Sequence, residues 1–280
     1  MMNKLLSANV VRLFKSKLFW ISAGLMFLLG IWIQVNEYIQ QKKYGYEHVE
    51  WPAGAFFAYA FLGCILIAVF CGMFVGTEYS DGTMRNKMIV GHKRAAIYAA
   101  NFMICVLAGA LITISYIVPA LCTGAILYGE IGMGARELVV RMFGIWWTTT
   151  SVASLGVLIS MLSQSKAVTA VLCSVGVCAL LFAGMYVQSR LSEPEVYDSY
   201  MMMGENGEFV SMPAEPNPSY LRGVWRDIYE FFLDFLPGGQ LIQLTGGTGD
   251  HVWVLYLYST VIIGVSTGIG IGCFQRKDIK

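Results

Sequence analysis

Residues 77–94 read Thr-Glu-Tyr-Ser-Asp-Gly-Thr-Met-Arg-Asn-Lys-Met-Ile-Val-Gly-His-Lys-Arg, a basic, turn-initiated segment between two long apolar runs. Asp81-Gly82 is a turn signal, Thr83 can cap a helix that starts there, and Gly91 is placed to end it. Residues 84–90 make roughly two helical turns. Met84, Met88 and Ile89 fall on one side, with Arg85, Asn86 and Lys87 around the other. A short helix with an apolar knob and a basic collar is expected here, at the mouth of two spans. The plainer alternative is an ordinary basic loop on the inner side of a membrane. Composition alone leaves both open.

The 280 residues are 56% hydrophobic and 13% charged, with a mean hydropathy of +0.60. A soluble domain carries about 25% charged residues, so the bilayer is the expected solvent. Six runs, 18–35, 53–76, 95–121, 144–162, 167–187 and 252–274, are long enough to cross about 30 Å of hydrocarbon as helices. Pro119 is expected to kink or end the third. Trp and Tyr crowd near the run ends, as interfacial anchors do.

Net charge is +1, but its distribution is one-sided. With the N-terminus inside, the inner segments hold Lys4, Arg12, Lys15, Lys17, Arg85, Lys87, Lys93, Arg94, Lys166, Arg276, Lys277 and Lys280 against Glu78, Asp81 and Asp278. The outer segments hold the other 7 basic and 15 acidic residues. That bias predicts both termini in the cytoplasm. No small-residue cleavage site follows the first apolar run before residues 34–43, so no removable signal peptide is expected.

Residues 1–17 show two helical stripes, Leu6, Val10, Leu13 and Phe14 apolar, and Lys4, Ala8, Arg12 and Lys15 mostly basic. Such a helix lies in the inner headgroup region. A frayed basic tail is the alternative. The loop 36–52 is polar, 128–141 is short and Gly-rich, and 163–166 is a tight cytoplasmic hairpin. The external segment 188–250 begins with an acidic, Pro-containing stretch at 192–218, expected as an ordered or semi-ordered loop. An amphipathic stretch at 220–236 comes next, with Leu221, Trp225, Ile228, Phe232 and Phe235 opposite Arg222, Arg226 and Glu230. Pro237-Gly238-Gly239 is expected to stop it. This helix either dips into the outer leaflet or packs over the bundle.

The fold class is therefore an all-α integral membrane protein of six transmembrane helices, forming a single domain over 1–280. Cys64, Cys71, Cys105, Cys173, Cys178 and Cys273 fall in apolar runs and Cys122 near an outer boundary; they read as small buried hydrophobes rather than a disulfide frame. His48, His92 and His251 are scattered, and no metal site is expected. The six runs contain no Asp, Glu, Lys or Arg, which argues against a proton- or ion-coupled carrier. Gly246-Gly247-Thr248-Gly249 lacks the Walker lysine, and no hydrolase or zincin motif is present. Neither an ATPase nor an intramembrane enzyme is expected, and no nucleic-acid partner. Energy for moving a solute would come from a partner.

Gly72/Gly76 and Gly264/Gly268/Gly272, spaced by four, allow close helix contact. Thr113, Ser115, Thr148, Thr149, Thr150, Ser151 and Ser154 are polar candidates for a pore, though each hydroxyl is expected to bond back to its own helix.

Residues 78–87, Glu-Tyr-Ser-Asp-Gly-Thr-Met-Arg-Asn-Lys, after a span and before Gly91-His92-Lys93-Arg94, resemble the coupling segment of ATP-binding-cassette transporter permeases of the type-2 exporter class. There a Glu-x-x-x-Gly-Thr pattern lies between the second and third of six spans. The helix 1–17 matches that family's connecting helix, and the amphipathic region ending in Leu236-Pro237-Gly238-Gly239-Gln240 also fits, so the resemblance covers almost the full chain. The Glu-Ala-Ala…Gly loop of importer permeases is not found.

The resemblance implies a permease domain that forms the pathway of an ATP-driven exporter in a plasma membrane, bacterial by the same analogy. It implies a dimer of permeases, homo- or heteromeric, with two cytoplasmic ATPase subunits. ATP and magnesium would sit on the ATPase, leaving no cofactor in this chain. Glu78, Gly82, Thr83 and Arg85 would position the coupling helix, Met84 and Met88 would touch the ATPase, and Lys87 belongs to the same segment. A local role for Glu78 stays open: a helix-end carboxylate satisfied by a backbone amide or by Arg85. An amphipathic or hydrophobic substrate (antimicrobial peptide, drug or lipid) suits the uncharged interior. The rival from another class is a non-transporting sensor or immunity subunit that binds a ligand through 192–218.

Overall fold

The structure is a computed structural model that describes residues 2–45, 49–198, 200–203, 209–247 and 251–277. His48, Thr248, Gly249, Asp250, Asp278 and Lys280 lie outside the described residues.

Among the described residues, six helical segments are long and apolar enough to cross a membrane. They are α2 (Lys17–Lys43), α3 with α4 (Ala53–Phe57 and Tyr59–Ser80), α6 (Arg94–Tyr128), α7 (Ala135–Leu162), α8 (Lys166–Leu191) and α11 (Val252–Arg276). Shorter helices are α1 (Met2–Lys15), α5 (Thr83–Ile89), α9 (Val224–Phe235) and α10 (Pro237–Gly246). The helices outrun the apolar runs. The polar 36–43 continues α2, and residues 135–143 start α7 before its apolar part, because neither stretch contains Gly or Pro to break a helix. Pro119 does not end α6, which runs on to Tyr128. The turns around Pro119 are held against α2, where a Cβ on Gly30 would meet the Tyr116 carbonyl at 2.6 Å and Pro119 Cγ at 3.1 Å.

The packing arises from small residues and aromatics. α2 lies on α6, α11 on α7, and α4 against both α7 and α8. Gly72 and Gly76 bring α4 onto α8: an added Cβ would stand 3.0 Å from Ala170 Cα and 3.1 Å from Lys166 Cα. The Gly264/Gly268/Gly272 stripe, in contrast, meets nothing within 4 Å. On α11 it is Gly270, on another side of the helix, that gives way to the Tyr98 ring. Cys64, Cys71, Cys105 and Cys173 are buried as expected, whereas Cys178 is half-buried at the edge of the core and Cys122 and Cys273 are exposed.

The external segment carries elements beyond those expected. Residues 192–218 are not simply a loop: β1 (Val196–Tyr197) pairs antiparallel with β4 (Glu215–Pro216), and β2 (Tyr200–Met203) with β3 (Phe209–Met212). Asn217 closes this nested hairpin, donating to Glu193 Oε2 and the Pro194 carbonyl. Pro237-Gly238-Gly239 ends α9 but also opens α10, with Pro at the first turn where its missing N–H costs nothing. Gly238 and Gly184 let α10 press onto α8, and Gly239 clears the Leu233 backbone of α9. No residue of α9 is buried, and Trp225, Phe231 and Phe232 face outward.

In α1 the buried seam is Leu5, Asn9 and Leu13 rather than the expected Leu6–Val10–Leu13–Phe14 stripe. Leu6 and Val10 are half-buried and Phe14 is exposed, so the helix is rotated to bring Asn9 and Arg12 toward the bundle. α1, α5, the α7–α8 turn and the end of α11 share one end of the molecule, tied together through Glu78, Arg94 and Lys277.

Candidate functional site

The last turn of α4 carries Glu78 with no exposed side-chain surface. Its Oε1 accepts from Arg12 of α1 and from Lys87 Nζ of α5, the latter at 2.5 Å. Its Oε2 accepts from Asn101 Nδ2 of α6 at 2.9 Å. Asn101 Oδ1 in turn accepts from Asn9 Nδ2 at 2.9 Å, and Lys87 reaches Asn9 Oδ1 at 3.1 Å. Arg12 also donates to the Phe74 carbonyl and lies 3.8 Å over the Phe74 ring. One carboxylate thus joins four helices. Burying it is tolerable because each oxygen is paired; an unpaired buried carboxylate would not stay ionised. Burial lowers the Lys87 pKa below its ordinary value, and the adjacent Glu78 opposes that shift. The local role left open for Glu78, a backbone amide or Arg85 as partner, is corrected: its partners come from three other helices.

The turn after α4 explains the orientation of α5. Gly82 has φ +68°, a left-handed conformation that suits glycine, and it occupies the N-cap position of α5. Thr83 therefore does not cap. It is the first helical residue, and its Oγ1 donates back to the Glu78 carbonyl at 3.2 Å. At the other end, Gly91 (φ +89°) donates to the Met88 carbonyl and His92 to the Lys87 carbonyl, a Schellman closure that stops the helix at the expected glycine.

The faces of α5 differ from expectation. Met84, expected on the contact side, is 1% exposed and packs into the core, and Met88 is half-buried. The outward apolar residues are Ile89 and Val90, at 72% and 71% exposed, beside exposed Arg85 and Asn86. Lys87, expected in an outer collar, turns inward to Glu78.

The segment is tied down behind as well. Arg94 donates from Nη1 to the carbonyls of Phe274 (3.1 Å), Gln275 (2.9 Å) and Lys277 (2.5 Å), capping the end of α11. Lys277 Nζ reaches the Met161 carbonyl at 3.0 Å, which Tyr79 also donates to at 2.6 Å. Arg12 and Asn101, which bond Glu78 directly, and Asn9, which bonds Asn101 and Lys87, are members of the hub that the sequence reading missed. The available signal was Asn9 in register with Leu5 and Leu13, and Asn101 inside the run 95–121.

A second buried polar centre lies toward the other end. Gln240 of α10 accepts through Oε1 from Thr148 of α7 (3.0 Å) and Ser259 of α11 (2.7 Å), and donates to the Asp234 carbonyl of α9 at 2.9 Å. Ser266 donates to Ser154 at 2.7 Å. Thr149, Thr150, Ser151, Ser154 and Ser115 donate to carbonyls of their own helices, as expected. These hydroxyls are spent inside the bundle.

Six apolar helices and a charged hub at one end mark a multi-pass membrane protein with a short helix held outside the spans. The model of the family described as ABC-2 family transporter protein matches residues 5–203. The chain belongs to that family. It is a membrane component of an ABC-2 transporter, a family that associates with ABC ATPase subunits. The match runs from α1 through β2, so α9, α10 and α11 lie beyond it, a shorter reach than the sequence resemblance implied. No curated relative matches the chain.

Proposed function

We propose that this chain is the permease subunit of an ATP-driven exporter and that α5 is its cytoplasmic coupling helix. The observation that carries the reading is the Glu78 hub. It ties the short exposed helix to α1, α4 and α6, so that a push on α5 moves membrane helices rather than bending a loop. The charge bias of the loops supports placing this end, and both termini, in the cytoplasm. Ile89, Val90 and Arg85, with the half-buried Met88, form the surface that enters a groove of the ATPase, while Met84 anchors the helix from behind. Glu78, Gly82, Thr83 and Lys87 set the helix's position. A second permease copy or homologue completes the pathway. The substrate is amphipathic or hydrophobic, an antimicrobial peptide, drug or lipid, in keeping with buried hydroxyls that are already bonded and with an uncharged interior.

The test is capture of the chain from its native membrane in mild detergent, with ATPase activity measured on the product. A P-loop ATPase should accompany the wild type and be lost with Ile89→Asp/Val90→Asp, whose thermal stability should match wild type within about 0.5 kcal/mol because the sites are exposed. Retention of the ATPase by that variant would overturn the docking face. A ligand-dependent ATPase response without vectorial transport would favour a sensor subunit instead.

A further inference from the structure

The α5 end carries a second polar feature. A cleft of about 320 Å³ opens between the α1–α2 joint, α4 and the start of α8. Three cations line it, Arg12, Lys15 and Lys166, with the hydroxyls of Ser16 and Thr77 and one carboxylate, Asp81. Leu18 and Phe74 contribute an apolar part of the wall. Arg12 is already engaged with Glu78, but among the described residues Lys15 and Lys166 have no hydrogen-bond or ion-pair partner. Asp81 accepts only from the Ser80 hydroxyl, at 3.3 Å, and pairs with neither lysine. Around the cleft and the adjoining hub, Arg12, Lys15, Lys87 and Lys166 face Glu78 and Asp81. Positive charge is in excess, and it converges on a concave space.

The surroundings say which anion fits. At the same joint Trp20 and Phe14 are 58% and 47% exposed, with Trp20 Nε1 donating to the Phe14 carbonyl at 2.8 Å. An outward Trp of this kind marks headgroup depth. Directly beyond it, Ile21, Leu25 and Leu28 are exposed along α2, a strip that acyl chains would cover. A free phosphate has no use for that strip. We propose that the cleft between α1, α2, α4 and α8 holds the phosphate of an anionic lipid whose chains run along the outward face of α2. Basic pockets between membrane helices bind such headgroups through charge and hydrogen bonds together. Arg12 joins the two features, since a phosphate in the cleft stands beside the guanidinium that holds α1 to Glu78. The site does not depend on the transport reading.

Native mass spectrometry of the delipidated full chain, titrated with phosphatidylglycerol or with phosphatidylcholine of the same acyl chains, tests it. Wild type should hold one phosphatidylglycerol tightly. Lys15→Gln/Lys166→Gln should weaken that binding at least tenfold and leave phosphatidylcholine and thermal unfolding unchanged. Lys15→Arg/Lys166→Arg should retain it. Lys4→Gln/Lys93→Gln removes two exposed cations outside the cleft and should change binding less than twofold. Equal binding by wild type and Lys15→Gln/Lys166→Gln would overturn the site. Equal loss in both glutamine variants would replace it with diffuse surface attraction. Full displacement of the lipid by excess inorganic phosphate would assign the cleft to free phosphate and overturn the lipid assignment.

Discussion

The two buried polar centres solve the same problem with different chemistry. At the α5 end, Glu78 gathers Arg12, Lys87 and Asn101 through charge-assisted bonds. Toward the other end, Gln240 gathers Thr148, Ser259 and the end of α9 through neutral ones. A neutral amide can lose a partner and keep a modest cost. A buried carboxylate that loses its charge leaves two cations stranded. The charged centre is therefore the more cooperative of the two, and it sits where α5 must be held. The neutral centre locks α10 into the bundle.

Glu78→Gln should have the largest effect. It keeps the Asn101 contact but leaves Arg12 and Lys87 without a counter-charge, at a cost of about 3–5 kcal/mol in thermal or denaturant unfolding. Adding Arg12→Met and Lys87→Met to Glu78→Gln should restore much of that stability, because a neutral cluster strands no charge. If the triple variant is less stable than the single one, the hub is not primarily electrostatic. Gln240→Leu should cost about 1–3 kcal/mol, the range for leaving buried neutral groups unpaired. A cost equal to that of Glu78→Gln would remove the contrast between the centres. Gly82→Ala should cost about 1–2 kcal/mol because alanine resists φ +68°. Its effect on ATPase coupling should exceed its effect on unfolding, since it reorients α5 rather than emptying a core. Thr150→Ala should be near neutral, because its hydroxyl bonds only the Trp146 carbonyl of its own helix.

Much of the fold was legible because the bilayer imposes it: the apolar runs had to be helices, and six were found. The ends were less legible, since residues 36–43 and 135–143 carry charges yet are unbroken by Gly or Pro. α5 could be read from Asp81-Gly82 and Gly91, residues whose backbone preferences are local. Its faces could not. Lys87 turns inward to Glu78 and Asn9, in a hub completed by residues 12 and 101, and no local pattern links positions so far apart. Attention to charged residues alone also hid Asn9 and Asn101. α10 was missed for a related reason. Pro-Gly-Gly signals the stop that ends α9, but Pro237 also starts a helix, with Gly238 clearing α8 and Gly239 clearing Leu233 of α9.

Glu78 holds α5 to α1 and the membrane helices. Hydrogen–deuterium exchange on the purified chain, comparing wild type, Glu78→Gln and Gln240→Leu, tests it most directly. Glu78→Gln should speed exchange of backbone amides in α1 and α5 by at least tenfold while α9 and α10 stay protected, and Gln240→Leu should do the reverse. Unchanged protection of α5 in Glu78→Gln, or the same loss in both variants, would contradict it.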